Sequence, residues 1–307
     1  GIILLTFINY FGVRAGGVFS DVFTLLKLIG ICGLIFFGFL LGRGQEIHLR
    51  PLVPQLEGNL GAALAMGMVG VLWSYGGWQH ATFTSGEAKD PQRSLPFSII
   101  AGTIIVIIIY LLANLVYLYL LPIETIASSP RVAALAAERF LGSTGGGLIS
   151  LAILISTFGT SGIYTLTAPR IYYAMAEDGV FFKRAAYVHP KYQTPIFSII
   201  FQSAWAILLI LSGNFLQLIT YVAFTDWIFF ALTAATVIIF RRRFPTMERS
   251  YRTWGYPVTP IFFILVSAWF VINTLVNSPT QALVGLGFLA LGVPVYYLWR
   301  RKSSGQS

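Results

Sequence analysis

"GVLWSYGGWQHATF", Gly70 to Phe83, stands inside an apolar segment that begins near Leu60 and is long enough to cross a bilayer. Its middle carries a glycine pair, two tryptophans, a glutamine and a histidine. Backbone that unwinds at membrane depth persists only where protein or a water-filled cavity receives its polar groups. Gly76 and Gly77 permit such a break, because glycine tolerates backbone angles that other residues avoid. Freed N–H groups would attract a carboxylate, and freed carbonyls would attract an ammonium or a cation. Trp73, Tyr75 and Trp78 can wall the resulting cavity. The competing reading is close helix packing at small residues, with tryptophan as an interface anchor. Gln79, His80, Thr82 and Thr84 follow at once and favour the cavity.

The rest of the chain gives that segment its setting. Apolar residues make up 56% of the 307 residues and charged residues only 10%, where a soluble domain carries about 25% charged residues. The mean hydropathy is +0.77. These values define an all-α integral membrane protein, since long apolar runs without dyad alternation do not build a barrel. A span needs about 20 mostly apolar residues. The expected spans are Val22–Leu41, Leu60–Thr84, Leu95–Leu121, Gly147–Tyr173, Pro195–Leu211, Phe215–Phe240, Val258–Val276 and Ala282–Trp299, with a shorter run at Ile2–Gly12. They form a single transmembrane domain over residues 1–307. No signal peptide is visible, and the absence of an initiator Met reads as a fragment. The segment Pro122–Gly147 is expected to hold a short amphipathic helix on the outer face.

Of the 20 lysines and arginines, one set of alternate loops holds Arg14, Lys89, Arg93, Arg170, Lys183, Arg184, Lys191, Arg241, Arg242, Arg243, Arg249, Arg252, Arg300, Arg301 and Lys302. The opposite set holds only Arg43, Arg50, Arg131 and Arg139. By the positive-inside rule the first set and the C-terminus are cytoplasmic in a cell-membrane protein. The net charge of +9 therefore reports topology and contact with anionic headgroups rather than a nucleic-acid surface. The single cysteine, Cys32, excludes an internal disulfide. No Cys/His cluster has metal-ligand spacing, so neither metal nor cofactor is expected. An intramembrane enzyme would need a partner set at membrane depth, and His80 is alone among the histidines in lying within a span. "GSTGGG", Gly142 to Gly147, lacks the Lys-Ser/Thr ending of a phosphate loop and reads as a loop entering a helix.

The stretch "LWSYGGWQHATFTSGEAKDPQRSLP", Leu72 to Pro96, resembles the sixth helix and following loop of the L-type amino acid transporters, members of the amino acid–polyamine–organocation superfamily. Gln79 stands where that family has Asn, and Gly86 where it has the first of two Glu. "STFGTSGIYTLTAPRIYYAMAEDG", Ser156 to Gly179, resembles the eighth helix and its exit. "FTDWIFFALTA", Phe224 to Ala234, resembles the tenth helix, and "DVFTLLKL", Asp21 to Leu28, the start of the fifth. The resemblance implies a partial LeuT-like inverted-repeat bundle, running from late in the fourth helix to the twelfth and lacking the first three. It also implies a secondary-active, sodium-independent exchanger or permease of neutral amino acids working by alternating access. The alternatives are a proton-coupled amino acid or polyamine symporter and a non-transporting fragment. The partners implied are a small amino acid and the lipid bilayer, with any accessory subunit unknown.

The candidate substrate-binding residues are Trp73 as a gate, Ser74, Tyr75, Gly76, Gly77, Trp78 and Gln79 at the break, Ser156 and Thr160 on the eighth span, and Asp226 on the tenth. Ser156, Thr160, Tyr164 and Thr167 recur at helical spacing, and a polar stripe on a spanning helix must face protein or water. Lys27 is the sixth residue of its expected span, about 9 Å deep. It either snorkels to the interface or faces the bundle. The resemblance implies the second, with its ammonium standing where sodium-coupled relatives hold a cation. Asp226 is expected early in its span, near the outer face, either at headgroup level or lining a vestibule.

Overall fold

A computed structural model describes residues 1–42, 60–212, 215–249, 251–277 and 279–304. The expected loop bases Arg43 and Arg50 lie outside these. Among the described residues there are thirteen α-helices and no strand. In chain order they are α1 (Ile2–Tyr10), α2 (Val13–Leu41), α3 (Leu60–Ser74), α4 (His80–Phe83), α5 (Pro91–Leu120), α6 (Ile123–Ser128), α7 (Val132–Leu141), α8 (Ser143–Thr167), α9 (Pro169–Glu177), α10 (Ile196–Ser212), α11 (Phe215–Arg243), α12 (Val258–Asn277) and α13 (Pro279–Ser304). Among the described residues, six helical stretches are long and apolar enough to cross a membrane, and the apolar part of α10 is shorter. The expected span Leu60–Thr84 is not one helix: it stops at Ser74 and resumes at His80.

Within a bilayer, lipid tails are as apolar as leucine, so van der Waals fit and polar contacts hold helices together rather than water exclusion. The α2–α8 seam shows the fit. Phe19 and Phe23 of α2 lie over Gly162 and Gly159 of α8, and a Cβ at Gly159 would stand 2.6 Å from the Phe23 Cβ. Phe158 completes the cluster, 5.5 Å from Phe23 and 5.6 Å from Phe19 between ring centroids. Polar contacts join further helices. Thr6 Oγ1, whose one proton goes to the Ile2 carbonyl at 2.8 Å, accepts from Ser203 Oγ at 2.7 Å, tying α1 to α10, and Gln202 Nε2 donates to the Tyr164 carbonyl at 3.2 Å, tying α10 to α8. On α11 and α12, Trp227 and Phe270 are buried together, 5.3 Å between ring centroids, with Leu72 of α3 against them.

The segment Pro122–Gly147 holds two short helices, α6 and α7, where one was expected. Ala134, Ala136 and Ala137 bury one face of α7, and Ala136 joins Val116, Leu120 and Leu121 in a core at the end of α5. Most of "GSTGGG" is helical rather than loop, because α8 already starts at Ser143. Gly145 has no side chain to keep it off α7, and a Cβ there would meet the Ala137 carbonyl.

Candidate functional site

At the break, Gly77 has φ +112°, a region that L-residues with a side chain rarely enter. The turn holds itself with a few bonds. The Gly76 N–H donates to the Trp73 carbonyl at 3.0 Å, and the His80 N–H to the Gly77 carbonyl at 3.1 Å. Gln79 Oε1 accepts the Gly77 N–H at 2.9 Å, so the glutamine side chain caps the very residue that unwinds. The freed carbonyl of Ser74 accepts the Tyr110 hydroxyl of α5 at 3.1 Å. Among the described residues, the N–H groups of Trp78 and Gln79 find no acceptor, and the carbonyls of Tyr75 and Gly76 no donor. The break therefore leaves both donors and acceptors open to a ligand.

Two cavities meet there. One, of about 620 Å³, is walled by Tyr75, Gly76, Gly77 and Trp78 on one side and Phe230 and Phe263 on the other. The other, of about 330 Å³, is lined by Trp73, Gln79, Thr160, Tyr164 and Asp226 around Gly76. Ser74 borders both. Both volumes fall within the few hundred to about 1,000 Å³ typical of small-molecule sites. The smaller one gathers one carboxylate, an amide and several hydroxyls, an unusual density of polar groups within an apolar bundle.

The sequence-predicted residues divide as follows. Trp73, Ser74, Tyr75, Gly76, Gly77, Trp78, Gln79, Thr160 and Asp226 line one or both cavities. Ser156 lines neither, so the polar stripe of α8 splits: Thr160 and Tyr164 face the cavity, whereas Thr167 faces His80. Asp226 stands eleven residues past Phe215, the first residue of α11, about 16 Å along the axis, and two residues into the apolar stretch Phe224–Arg243 that is long enough to cross a membrane. Lys27 is farther from the start of its helix than expected, because α2 begins at Val13 rather than Val22. It lies about 21 Å from that start. Its Nζ donates to Thr160 Oγ1 at 3.4 Å, so the ammonium faces α8 and the cavity rim rather than the interface.

Two contacts escaped sequence reasoning. Arg170, the first residue after Pro169 and counted above among loop bases, is buried. It makes a bidentate pair with Glu87: Nε to Oε1 at 2.6 Å and Nη2 to Oε2 at 3.0 Å. Its Nη1 also donates to the Leu166 carbonyl. The pair ties the segment after α4 to the α8–α9 bend. The second contact is His80. Thr167 Oγ1 donates its only proton to the Ile163 carbonyl at 2.8 Å, so the 2.5 Å contact between His80 Nδ1 and Thr167 Oγ1 has the imidazole N–H as donor. The His80 ring lies 4.1 Å from that of Tyr164. The signals were present, an acid and a base flanking apolar runs and a histidine within one, but the partners are 83 and 87 residues apart.

Apolar helices of membrane-crossing length, with a broken span and a polar cavity at the break, define a multi-pass membrane protein with a candidate small-molecule site. The chain belongs to the amino acid permease family, whose model matches residues 2–297. It is 32% identical to the serine/threonine exchanger SteT of Bacillus subtilis (strain 168), over 99% of this chain and 69% of that protein. It is 28% identical to the large neutral amino acids transporter small subunit 2 of Mus musculus, over 98% of this chain and 57% of that protein. A b(0,+)-type amino acid transporter 1 of Rattus norvegicus is 27% identical, over 96% of this chain and 60% of the relative. The chain thus spans about 57–69% of the length of these relatives. They are transporters rather than enzymes, and their L-type and b(0,+)-type kinship agrees with the resemblance carried by Leu72–Pro96.

Proposed function

We propose that this chain carries the substrate site of a sodium-independent amino acid exchanger or permease of the cell membrane, working by alternating access. The observation behind this reading is the break at residues 75–79, with Gly77 at φ +112° and unpaired N–H and C=O groups opening on a cavity. A zwitterionic amino acid has the complementary chemistry. Its carboxylate is matched by the N–H groups of Trp78 and Gln79, and its ammonium by the carbonyls of Tyr75 and Gly76. Its side chain then reaches the second cavity, where Thr160, Tyr164 and Asp226 lie. Trp73, which lines that cavity and is 41% exposed, acts as the gate. Lys27 at the rim supplies a fixed positive charge where a coupling cation would have to bind, and like-charge repulsion disfavours sodium there. The chain around Lys89 and Arg93, at the start of α5, and Arg241 to Arg243, at the end of α11, face the cytoplasm with the C-terminus, by their positive charge.

The test is uptake of radiolabelled neutral amino acids by the full-length protein in liposomes preloaded with unlabelled substrate. Uptake is expected to persist when choline replaces sodium. Strict sodium dependence overturns the role given to Lys27. Accumulation driven by a pH gradient, and uncoupled by Lys27→Ala, makes the protein a proton-coupled symporter instead.

A further inference from the structure

At the far end of α11, remote in sequence from the broken span, lies a second polar cavity of about 620 Å³, lined by Arg241, Thr246, Met247, Glu248, Arg249 and Arg252. Three guanidiniums face one carboxylate, so the lining is cationic. The C-terminus of a helix repels anions, because its last carbonyls are unpaired. Here Arg249 removes that objection. Its Nη2 donates to the carbonyls of Phe244 (2.7 Å) and Phe240 (3.3 Å), and its Nη1 to that of Met247 (2.7 Å). Arg241 is also held in place, with its guanidinium 3.9 Å from the centroid of the Tyr256 ring. Arg252 is exposed at the mouth.

The chain segment that lines this cavity also exposes large apolar side chains. Trp254 is 82% exposed, Met247 63%, Phe244 47% and Tyr251 45%. A basic cavity at the end of a membrane-crossing helix, in a segment that also exposes tryptophan, tyrosine and phenylalanine, has the chemistry of the bilayer interface, where such side chains anchor. A soluble anion would satisfy the arginines and leave those side chains in water. A phospholipid satisfies both, with its phosphate on the arginines and its acyl chains along Trp254 and Phe244.

We propose that this cavity binds the phosphate headgroup of an anionic phospholipid and seats α11 and the Phe244–Tyr256 segment on the membrane. Arg241 and Arg252 contribute charge that a zwitterionic headgroup, with its own ammonium, does not exploit. Loss of one such arginine is expected to cost about fivefold in preference for the anionic lipid.

The experiment uses the chain reconstituted in phosphatidylcholine bilayers, with brominated-chain lipids as contact quenchers of tryptophan. The signal of Trp254 is the difference between the chain and its Trp254→Phe variant. Brominated phosphatidylglycerol is expected to quench Trp254 at about tenfold lower mole fraction than brominated phosphatidylcholine. The double variant Arg241→Gln/Arg252→Gln should lose that preference, and Arg252→Gln alone, on an exposed side chain, should lose part of it. Millimolar inorganic phosphate in the buffer should displace nothing. Equal quenching by the two lipids overturns the proposal, as does a preference that survives both variants. Displacement by free phosphate overturns it too, by making the site one for a soluble anion.

Discussion

Glycine performs opposite tasks at the two places that matter most in this bundle. On α8, Gly159 and Gly162 are helical and crowded, and their missing side chains let Phe23 and Phe19 of α2 come against the helix backbone. At the break between α3 and α4, Gly77 has open space, with nothing within 4 Å of where a Cβ would be, but a φ of +112°. The first site needs glycine for its size, the second for its backbone freedom. One seam closes the fold and the other opens it, and only the open one leaves backbone hydrogen-bonding groups without partners. The comparison separates what holds the protein together from what equips it to bind.

It can be broken at the closed seam first. Gly159→Leu has no room, because even its Cβ would press on the Phe23 Cβ, an atom that no rotamer change can move. Overpacking of that kind typically costs about 1–3 kcal/mol and sometimes more. The expected result is a large loss of folded protein in detergent, seen as a lowered unfolding midpoint, with substrate affinity of the surviving fraction unchanged. A variant that folds normally but cannot bind substrate would show that this seam belongs to the site.

A smaller effect is expected between the two regions. Glu87→Ala strands the buried Arg170 without its carboxylate. Hydrogen bonds to charged groups contribute about 1.5–3 kcal/mol, and the Glu87 side chain is 42% exposed, which places the cost towards the low end. The unfolding midpoint should fall modestly and uptake should fall with it, since the pair anchors the segment after α4. Glu87→Asp should restore part of both. Equal behaviour of the Ala and Asp variants would reduce the pair to surface charge.

The smallest change in stability is expected at the open region itself. Trp73 is 41% exposed and lines the smaller cavity, so Trp73→Ala should lower uptake per folded molecule about tenfold while barely moving the unfolding midpoint. If only the yield of folded protein changes, Trp73 is a packing residue and not a gate.

The open region was legible in the sequence because it contradicts its surroundings: a glycine pair with polar neighbours, inside an apolar run, has few physical explanations. Thr160 and Asp226 could be placed on helices that face protein, but their depth could not be read from hydropathy. Arg14 and Asp21 hid the first turns of α2 and put the expected start of its span at Val22, so the position of Lys27 was counted from too late a residue. The role of Gln79 was out of reach, because its polarity marks a cavity equally well whether it meets a ligand or caps Gly77. The Glu87–Arg170 and His80–Thr167 contacts depend on how distant helices pack, and nothing in a single chain's local pattern encodes that. Ser156 lines neither cavity for the related reason that helical spacing gives a face, whereas a cavity occupies only part of its length.

The central claim is that the unwound backbone at Gly77 builds the substrate site, and the direct measurement is substrate affinity of the full-length protein carrying Gly77→Ala. Because a Cβ there meets no atom, the substitution acts through φ alone and penalises the unwound conformation by about 1–3 kcal/mol, equivalent to about 5–150-fold in an equilibrium constant. The account predicts substrate binding weakened within that range while the protein still inserts and folds, with an unfolding midpoint lowered by no more than that penalty, and with Gly77→Leu abolishing binding. Wild-type affinity in the alanine variant, with transport intact in the leucine variant, would contradict it.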